Sequence, residues 1–317
     1  MNLVLTGSIA FDYSMTFPGY FSEHFLPDRL DKVSLSFLVD SLTCHRGGIA
    51  ANIAYTLALL GERPKVMATV GEDFEVFRVW LEEHGVDTSA IEVIPGETTA
   101  SFFVTTDQAQ AQIASFFTGA MAYASKLSFS HLAQRPDLAM ISPNDPEAMV
   151  SYIQECRQVG IPYIYDPSQQ IVRLNGKDLR SGIEGCQALF TNDYEFGLIE
   201  EKTGLSLDEI RGYADFVITT RGEEGTNLYT ADREMHIPVI QPHTIPDPTG
   251  AGDAFRGGFL KGYMNGLSLE RCGQMGTLAA TYCLEADSPM GHSFSLEIFK
   301  SRFREHFDDQ GELDQLK

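Results

Sequence analysis

The sequence predicts an α/β protein built on a mostly parallel sheet with helices on its faces, plus a small β excursion set apart from it. Three observations carry this. Beyond Gly119, short apolar runs at Leu138–Ile141, Tyr163–Tyr165, Ala188–Phe190 and Phe216–Thr219 alternate with helix-like stretches such as Pro146–Gln158 and Tyr194–Thr203. Strands that alternate with helical patterns belong to parallel sheets covered on both sides. Asp12, Asp166, Asn192 and Thr220 each follow such a run, which puts four polar groups on the rim where open α/β sheets bind ligands. Finally, Tyr13–Cys44 and Thr99–Phe117 break the alternation.

Taken in order, Leu3–Ile9 reads as a short buried strand ending at Gly7 and Ser8, with Asp12 just beyond its carboxyl end. Tyr13–Cys44 is irregular, interrupted by Pro18, Gly19 and Pro27, and reads as an excursion out of the main sheet. Gly47-Gly48 opens an apolar run, Ile49–Leu60, that suits a buried helix ended by Gly61. Lys65–Val70 reads as a strand and Phe74–His84 as a helix closed by Gly85. Ser101–Thr105 and Gln112–Phe117, joined around Asp107–Gln110, form a β-hairpin pattern, and Asn227–Tyr229 with Met235–Ile237 form another. Three helices follow over Gly250–Asn265, Leu269–Leu284 and Leu296–Phe307, and after Asp308 an acidic tail is expected to fray. No internal repeat of about 20–50 residues is present.

Composition narrows the function classes. Of the 317 residues, 43% are hydrophobic and 21% charged, ample for a large core. The net charge of −21, without a Lys/Arg cluster, argues against nucleic-acid and membrane-surface partners, whose affinity comes from clustered cations. It does not exclude a nucleotide, since phosphate can be held by backbone N–H groups and a divalent cation. The five cysteines are scattered without a C-x-x-C pair, which suits buried free thiols in a reducing compartment. The N-terminus lacks the pattern of a signal peptide, and no apolar run reaches the roughly 18 residues of a membrane span. A cytoplasmic location is the expectation.

The most informative segment is Asp247-Pro248-Thr249-Gly250-Ala251-Gly252-Asp253-Ala254-Phe255-Arg256-Gly257-Gly258-Phe259. Small residues at Gly250, Ala251 and Gly252 leave amides open at a helix N-terminus, where unpaired N–H groups and the helix dipole attract phosphate. Asp253, in the first turn beside that anion hole, could take the proton of an attacking hydroxyl. The plainer alternative is a flexible turn followed by a dipole-stabilising acid. No Walker loop and no strand-coupled G-x-G-x-x-G occurs, so the segment implies a different phosphate-handling fold.

Asp247–Phe259 closely resembles the C-terminal signature of the ribokinase-like (PfkB) kinases, and the resemblance extends over nearly the whole chain. Arg46-Gly47-Gly48-Ile49-Ala50-Ala51-Asn52 is similar to the family's G-G-x-x-x-N element, Asn192-Asp193-Tyr194-Glu195 to its N-x-x-E motif, and Thr220-Arg221-Gly222-Glu223-Glu224-Gly225 to its T-x-G-x-x-G nucleotide loop. The resemblance implies a three-layer α/β/α fold with a small β-sheet lid. Residues 1–12, 46–97 and 119–317 would form the main domain, and residues 13–45 and 98–118 the lid. It implies transfer from ATP and Mg2+ to a primary hydroxyl, with Asp253 as base and the amides of Gly250, Ala251 and Gly252 on the phosphates. Asp12, Gly47, Gly48 and Asn52 would hold sugar hydroxyls. Asn192 and Glu195 would order Mg2+ through water, and Thr220, Gly222 and Gly225 would bind the nucleotide. A lid closing over the site would exclude water.

Within the family the likeness is nearest to bacterial and archaeal adenosine and nucleoside kinases. Three local features point there: Arg256 inside the signature, Asp166-Pro167-Ser168-Gln169 after a central strand, and Phe116-Phe117-Thr118-Gly119-Ala120 closing the lid hairpin. Asp166, Gln169 and Phe116 join the expected substrate-binding residues on this ground. Phe102, Phe116 and Phe117 are either lid core, as aromatic residues in strands usually are, or a platform for a planar base. Arg256 either reaches the transferring phosphate or makes a structural ion pair. Asp247 is where many relatives bind a monovalent cation, but Ser288 and Pro289 replace the usual glycine of the facing loop, so potassium dependence stays open. The rival substrates are free sugars such as ribose or fructose. A non-catalytic nucleotide or sugar sensor is a rival of another class, though such a protein has no need of Asp253. A homodimer paired through the lid is one assembly the family allows.

Overall fold

Continuous runs of buried apolar residues become the central sheet because both of its faces are covered. The computed structural model describes residues 1–25 and 34–317, so Pro27 lies outside the described residues. The strands are β1 (Leu3–Thr6), β2 (Ala10–Thr16), β3 (Ser41–Gly47), β4 (Lys65–Val70), β5 (Asp87–Val93), β6 (Ala100–Thr106) and β7 (Gln112–Phe117). They continue with β8 (Leu138–Ile141), β9 (Tyr163–Tyr165), β10 (Ala188–Asn192), β11 (Phe216–Thr220), β12 (Thr226–Thr230) and β13 (Glu234–Ile237). Nine of them form one sheet in the order β13-β12-β11-β10-β9-β8-β1-β4-β5, parallel except where the β12–β13 hairpin adds an antiparallel edge. The other four form a second sheet, β3-β2-β6-β7.

The helices are α1 (Ile49–Leu59), α2 (Glu75–Glu83), α3 (Pro146–Val159), α4 (Gly176–Ile183), α5 (Asp193–Thr203), α6 (Leu207–Tyr213), α7 (Ala251–Met264), α8 (Leu269–Leu284) and α9 (Leu296–His306). Strand residues send alternate side chains to opposite faces. Leu3 and Leu5 of β1 therefore join one core with Ile53, Phe77, Phe259, Leu278 and Phe299, while Val4 joins another with Tyr152, Leu179, Ile199 and Ile210. Helices α1, α2, α7, α8 and α9 cover the first face and α3 to α6 the second, which makes three layers.

Several elements depart from the sequence expectation. The first strand stops at Thr6, and the chain re-enters as β2 of the second sheet, so Asp12 lies within a strand of that sheet instead of just beyond β1. The edge strand β5 was not anticipated: half its side chains face solvent, and its register against β4 shifts between Lys65 and Met67, which blurs any alternation. Helices α4 and α6, of eight and seven residues, are too short to declare a 3.6-residue period. The acidic tail does not fray. Leu313 and Leu316 are buried, the Lys300 ammonium donates to the Leu316 carbonyl at 2.9 Å, and Lys261, 1% exposed, donates to Glu62 at 2.7 Å and to the Lys317 carbonyl at 3.0 Å. Buried ammonium groups need acceptors, and the tail supplies them. Four cysteines are buried free thiols, whereas Cys44 is exposed on β3. No described helix is long and apolar enough to cross a membrane.

Helices α7 and α8 approach closely at Gly258, where an added Cβ would stand 2.5 Å from the Met275 carbonyl oxygen and 2.8 Å from the Ala279 Cβ. Gly258→Ala is expected to lower stability by about 1–3 kcal/mol through overpacking, read as a lower urea midpoint.

Candidate active site

Two neighbouring cavities open at the carboxyl ends of the central strands, of about 300 and 350 Å³, and they share Thr220 and Gly252. The first lies beneath the second sheet, and glycines make its shape possible. A Cβ on Gly47 would fall 2.1 Å from Asp12 Oδ2, so only glycine leaves room for that carboxylate. Gly48, at φ 94°, presses against the backbone of Ser8, Ile9 and Ala10 with would-be contacts of 2.6 Å. This delivers α1 with Asn52 facing the cavity. Burial, and secondly the nearby Asp247, push the Asp12 carboxyl up to about 6.

Asp253 stands in the first turn of α7 and lines the same cavity. Its Oδ2 accepts from Asn52 Nδ2 at 2.8 Å. Burial pushes its carboxyl up to about 7, opposed by the Arg256 charge and the Asn52 hydrogen bond and assisted by Asp166 and Asp12. A group balanced near neutrality fits proton transfer. Gly250, the N-cap residue of α7 at φ 83°, packs on Pro289 so tightly that a Cβ would come within 2.6 Å of it. The Ala251 amide makes only a 3.4 Å contact to the Pro248 carbonyl. Those of Gly252 and Asp253 have no acceptor among the described residues. Open amides at a helix start form an anion site.

Arg256 is 7% exposed: Nη2 donates to Asp166 Oδ1 at 2.7 Å and Nη1 to the Gly252 carbonyl at 2.9 Å, while Nε lies 2.5 Å from Asp166 Oδ2 as a charge contact without hydrogen-bond alignment. Of the two alternatives for Arg256, the ion pair is the geometry observed. Burial pushes the Asp166 carboxyl up, and the Arg256 guanidinium, by its charge and its hydrogen bond, opposes it. Asp166, expected among the substrate-binding residues, is instead sealed at 0% exposure beneath Arg256 and does not line the cavity. Gln169 does line it.

Asn192 and Glu195 close a capping box on α5: Asn192 Oδ1 accepts from the Glu195 amide at 2.7 Å, and Glu195 Oε2 from the Asn192 amide at 2.8 Å. Glu195 lines the cavity, and its Oε1 accepts from Ser168 Oγ at 3.0 Å. Ser168 itself is held at φ 37°, a conformation side chains other than glycine avoid. Among the described residues no three acidic, His or Cys side chains converge. One carboxylate oxygen beside an anion site nevertheless suits Mg2+, which keeps most of its waters and binds through few protein ligands plus phosphates. Asp247 is half-exposed and accepts from the Thr249 amide at 2.9 Å.

The second cavity is lined by Thr220, Gly222 and Gly225 of the expected nucleotide loop, by Ile240, Pro242 and Ile245, and by Thr277, Ala280, Thr281 and Leu284 of α8. The α8 residues follow helical spacing, a signal that by itself reads as core packing. Ser8, Ala10, Ile49 and Ser168 of the first cavity were likewise not singled out from sequence. The aromatic alternatives divide differently than expected. Phe102 and Phe116 sit directly opposite in the β6–β7 ladder and both line the first cavity, while Phe117 points to the other face. With Phe116 48% and Phe117 51% exposed, neither is lid core.

A model of the pfkB family of carbohydrate kinases matches residues 8–291. The chain belongs to that family. Among pfkB kinases it is 28% identical to a nucleoside kinase of Methanocaldococcus jannaschii over 82% of this chain and 85% of that one. The structure of a Burkholderia thailandensis nucleoside kinase in complex with inosine superposes with a TM-score of 0.87 at 34% identity, over 96% of this chain and 98% of that one. The same kinase in complex with ADP-inosine gives 0.85 at 35% identity over 96% of both chains. The three-layer pfkB fold and phosphotransfer to an alcohol group follow for this chain.

Arg256→Met strands the Asp166 carboxylate in a buried site and is expected to cost about 3–5 kcal/mol in urea unfolding, whereas Arg256→Met combined with Asp166→Leu recovers most of that loss.

Proposed function

We propose that this pfkB kinase is an ATP-dependent nucleoside kinase that phosphorylates a 5′-hydroxyl, with adenosine as the first candidate. The observation that carries the reading is Asp253 beside the open amides of α7, where the two cavities meet. The acceptor would lie in the first cavity with its hydroxyls on Asp12, Asn52 and the Gly48 backbone. The nucleotide would lie in the second, against Thr220, Gly222 and Gly225, with its γ-phosphate reaching Gly252. Asp253 takes the hydroxyl proton as that oxygen bonds to Pγ; the bond from Pγ to the β–γ bridging oxygen breaks, and ADP leaves with the bonding pair. Positioning and charge stabilisation do most of the work in such a transfer. Mg2+ on the phosphates would neutralise developing charge, with Glu195 and Asn192 ordering its waters. Gly250, Ala251 and Gly252 hold the phosphate oxygens, and Arg256 adds fixed positive charge behind them. A monovalent cation would find its acidic donor in Asp247.

A nucleoside is favoured over a free sugar by the relatives' activities and by the Phe102–Phe116 pair, which offers ring faces to a base, with Gln169 available for its polar edge. Closing the second sheet would exclude water from the transfer. Exposed Leu42, Ile113 and Phe117 of that sheet are what a pairing of two copies through the lid would cover.

Asp253→Asn is expected to lower kcat by about 10²- to 10⁴-fold in a coupled ADP assay. The base acts ionised, so wild-type kcat/KM should rise with pH through about 7, the value to which burial pushes Asp253, and fall about tenfold per unit below it. Equal rates for wild type and Asp253→Asn would remove the assignment. In a thermal-shift panel, the true acceptor at a hundred times its dissociation constant stabilises by roughly 2.7 kcal/mol. Adenosine or inosine should do so and ribose should not; the reverse makes the chain a sugar kinase.

A further inference from the structure

The hydrogen bond between α1 and Asp253 has a directional chemistry that reaches beyond substrate contact. Asn52 Nδ2 lies 2.8 Å from Asp253 Oδ2. A carboxylate only accepts, so the amide must present N–H to it, and this fixes the side-chain orientation. Asn52 Oδ1 is then left as an acceptor. It is buried and has no partner among the described residues, although Asn52 lines the acceptor cavity. An orphaned buried acceptor at a ligand cavity calls for a donor from the ligand.

The pair is also rigidly placed. One turn along each helix, Gly257 of α7 meets α1 so closely that a Cβ would fall 2.7 Å from the Thr56 Cβ and 3.2 Å from the Ile53 carbonyl oxygen. Thr56 Oγ1 lies 3.2 Å from His292 Nε2, and Tyr55 donates to the His292 carbonyl at 2.7 Å, which braces the buried side of α1 against the segment after α8. The backbone positions of Asn52 and Asp253 are therefore fixed relative to each other by that crossing.

We infer that Asn52 is a positioning residue for Asp253: its N–H holds the base oriented and ionised, while its carbonyl oxygen receives an acceptor hydroxyl, so one amide couples acceptor binding to the readiness of the base. Receiving that hydroxyl polarises the amide and strengthens its donation to Asp253. The other charged or titratable groups facing Asp253 are Arg256 on its own helix, Asp166 beyond β9, Asp12 of β2 and Cys283 of α8. Arg256 lowers the carboxyl's proton affinity but has its own nitrogens committed to Asp166 and Gly252. Asp166 and Asp12 raise it, and Cys283, whose thiol is pushed up to about 12, is neutral throughout the working range. Asn52 is thus the one side chain among the described residues that hydrogen-bonds the base.

The inference rests on Asp253 being the base, and its test separates the two. Steady-state rates of the full chain with ATP, Mg2+ and adenosine are measured from pH 5.5 to 9.5, a range set about the usual window of such titrations, for wild type, Asn52→Leu, Asn52→Ser and Asp253→Asn. Both Asn52 variants should shift the acidic limb of kcat/KM upward by about one pH unit, losing about tenfold more activity at pH 6 than at pH 9. A pH-independent loss of kcat, or a rise in KM with the limb unmoved, overturns the coupling and leaves Asn52 a structural or purely hydroxyl-binding residue. Should Asn52→Leu fail to fold, Asn52→Ser, smaller and still able to hydrate, gives the same reading. Activity surviving in Asp253→Asn would instead defeat the underlying assignment of the base, whatever the Asn52 variants do.

Discussion

A buried guanidinium–carboxylate pair, Arg256 with Asp166, ties the first turns of α7 to the carboxyl end of β9, and the rest of the site is arranged around it. Taking both charges out of water is costly, and a pair of this kind seldom adds net stability over apolar residues of the same size. What it fixes is geometry. One hydrogen bond and one close charge contact to Asp166, with a further hydrogen bond to the Gly252 carbonyl, hold the helix start against the sheet rim. Asp253 and the open amides beside it inherit that placement. The same positive charge, close to Asp253 but paired elsewhere, opposes the rise in proton affinity that burial gives the Asp253 carboxyl.

Close backbone approach is the second condition. Gly47 clears the Asp12 carboxylate, Gly48 lets α1 begin against the Ser8–Ala10 link between β1 and β2, Gly250 seats on Pro289, and Gly257 and Gly258 bring α7 against α1 and α8. Each contact is one a methyl group would block. Together they draw three helices and two sheets to one rim, which explains how a protein of net charge −21 can accommodate a polyanionic nucleotide. Oriented amides and one guanidinium at that rim would supply a local attraction that does not depend on the overall field.

Several groups serve fold and site at once. Asn192 and Glu195 spend one oxygen each on capping α5, a contribution of about 1 kcal/mol per cap, and both still line the cavity, with Glu195 Oε1 held by Ser168. Ser168 sits in a strained conformation between the buried Asp166 and that carboxylate. Strain of this kind persists where surrounding contacts over-determine a residue, as happens at functional sites.

The alternation of strands and long helices beyond Gly119, the helix that begins at Gly250 and the small-residue motif at its start were determined by the sequence, because they are local. Apolar periodicity, capping residues and runs of small residues act within a few positions of one another. The pairing of Asp166 with Arg256, 90 residues apart, and of Asn52 with Asp253, 201 apart, belonged to no local pattern, and neither did the burial that moves their proton affinities. Short α4 and α6, the half-exposed strand β5 and the docked tail escaped for the same reason: their stability comes from partners distant in the chain. Tertiary structure alone decided that Asp12 belongs to the second sheet, that Asp166 lies under the cavity and that Phe102 and Phe116 face into it. Which face of a strand meets a ligand, and which meets a core, is set only when the other sheet and helices are in place.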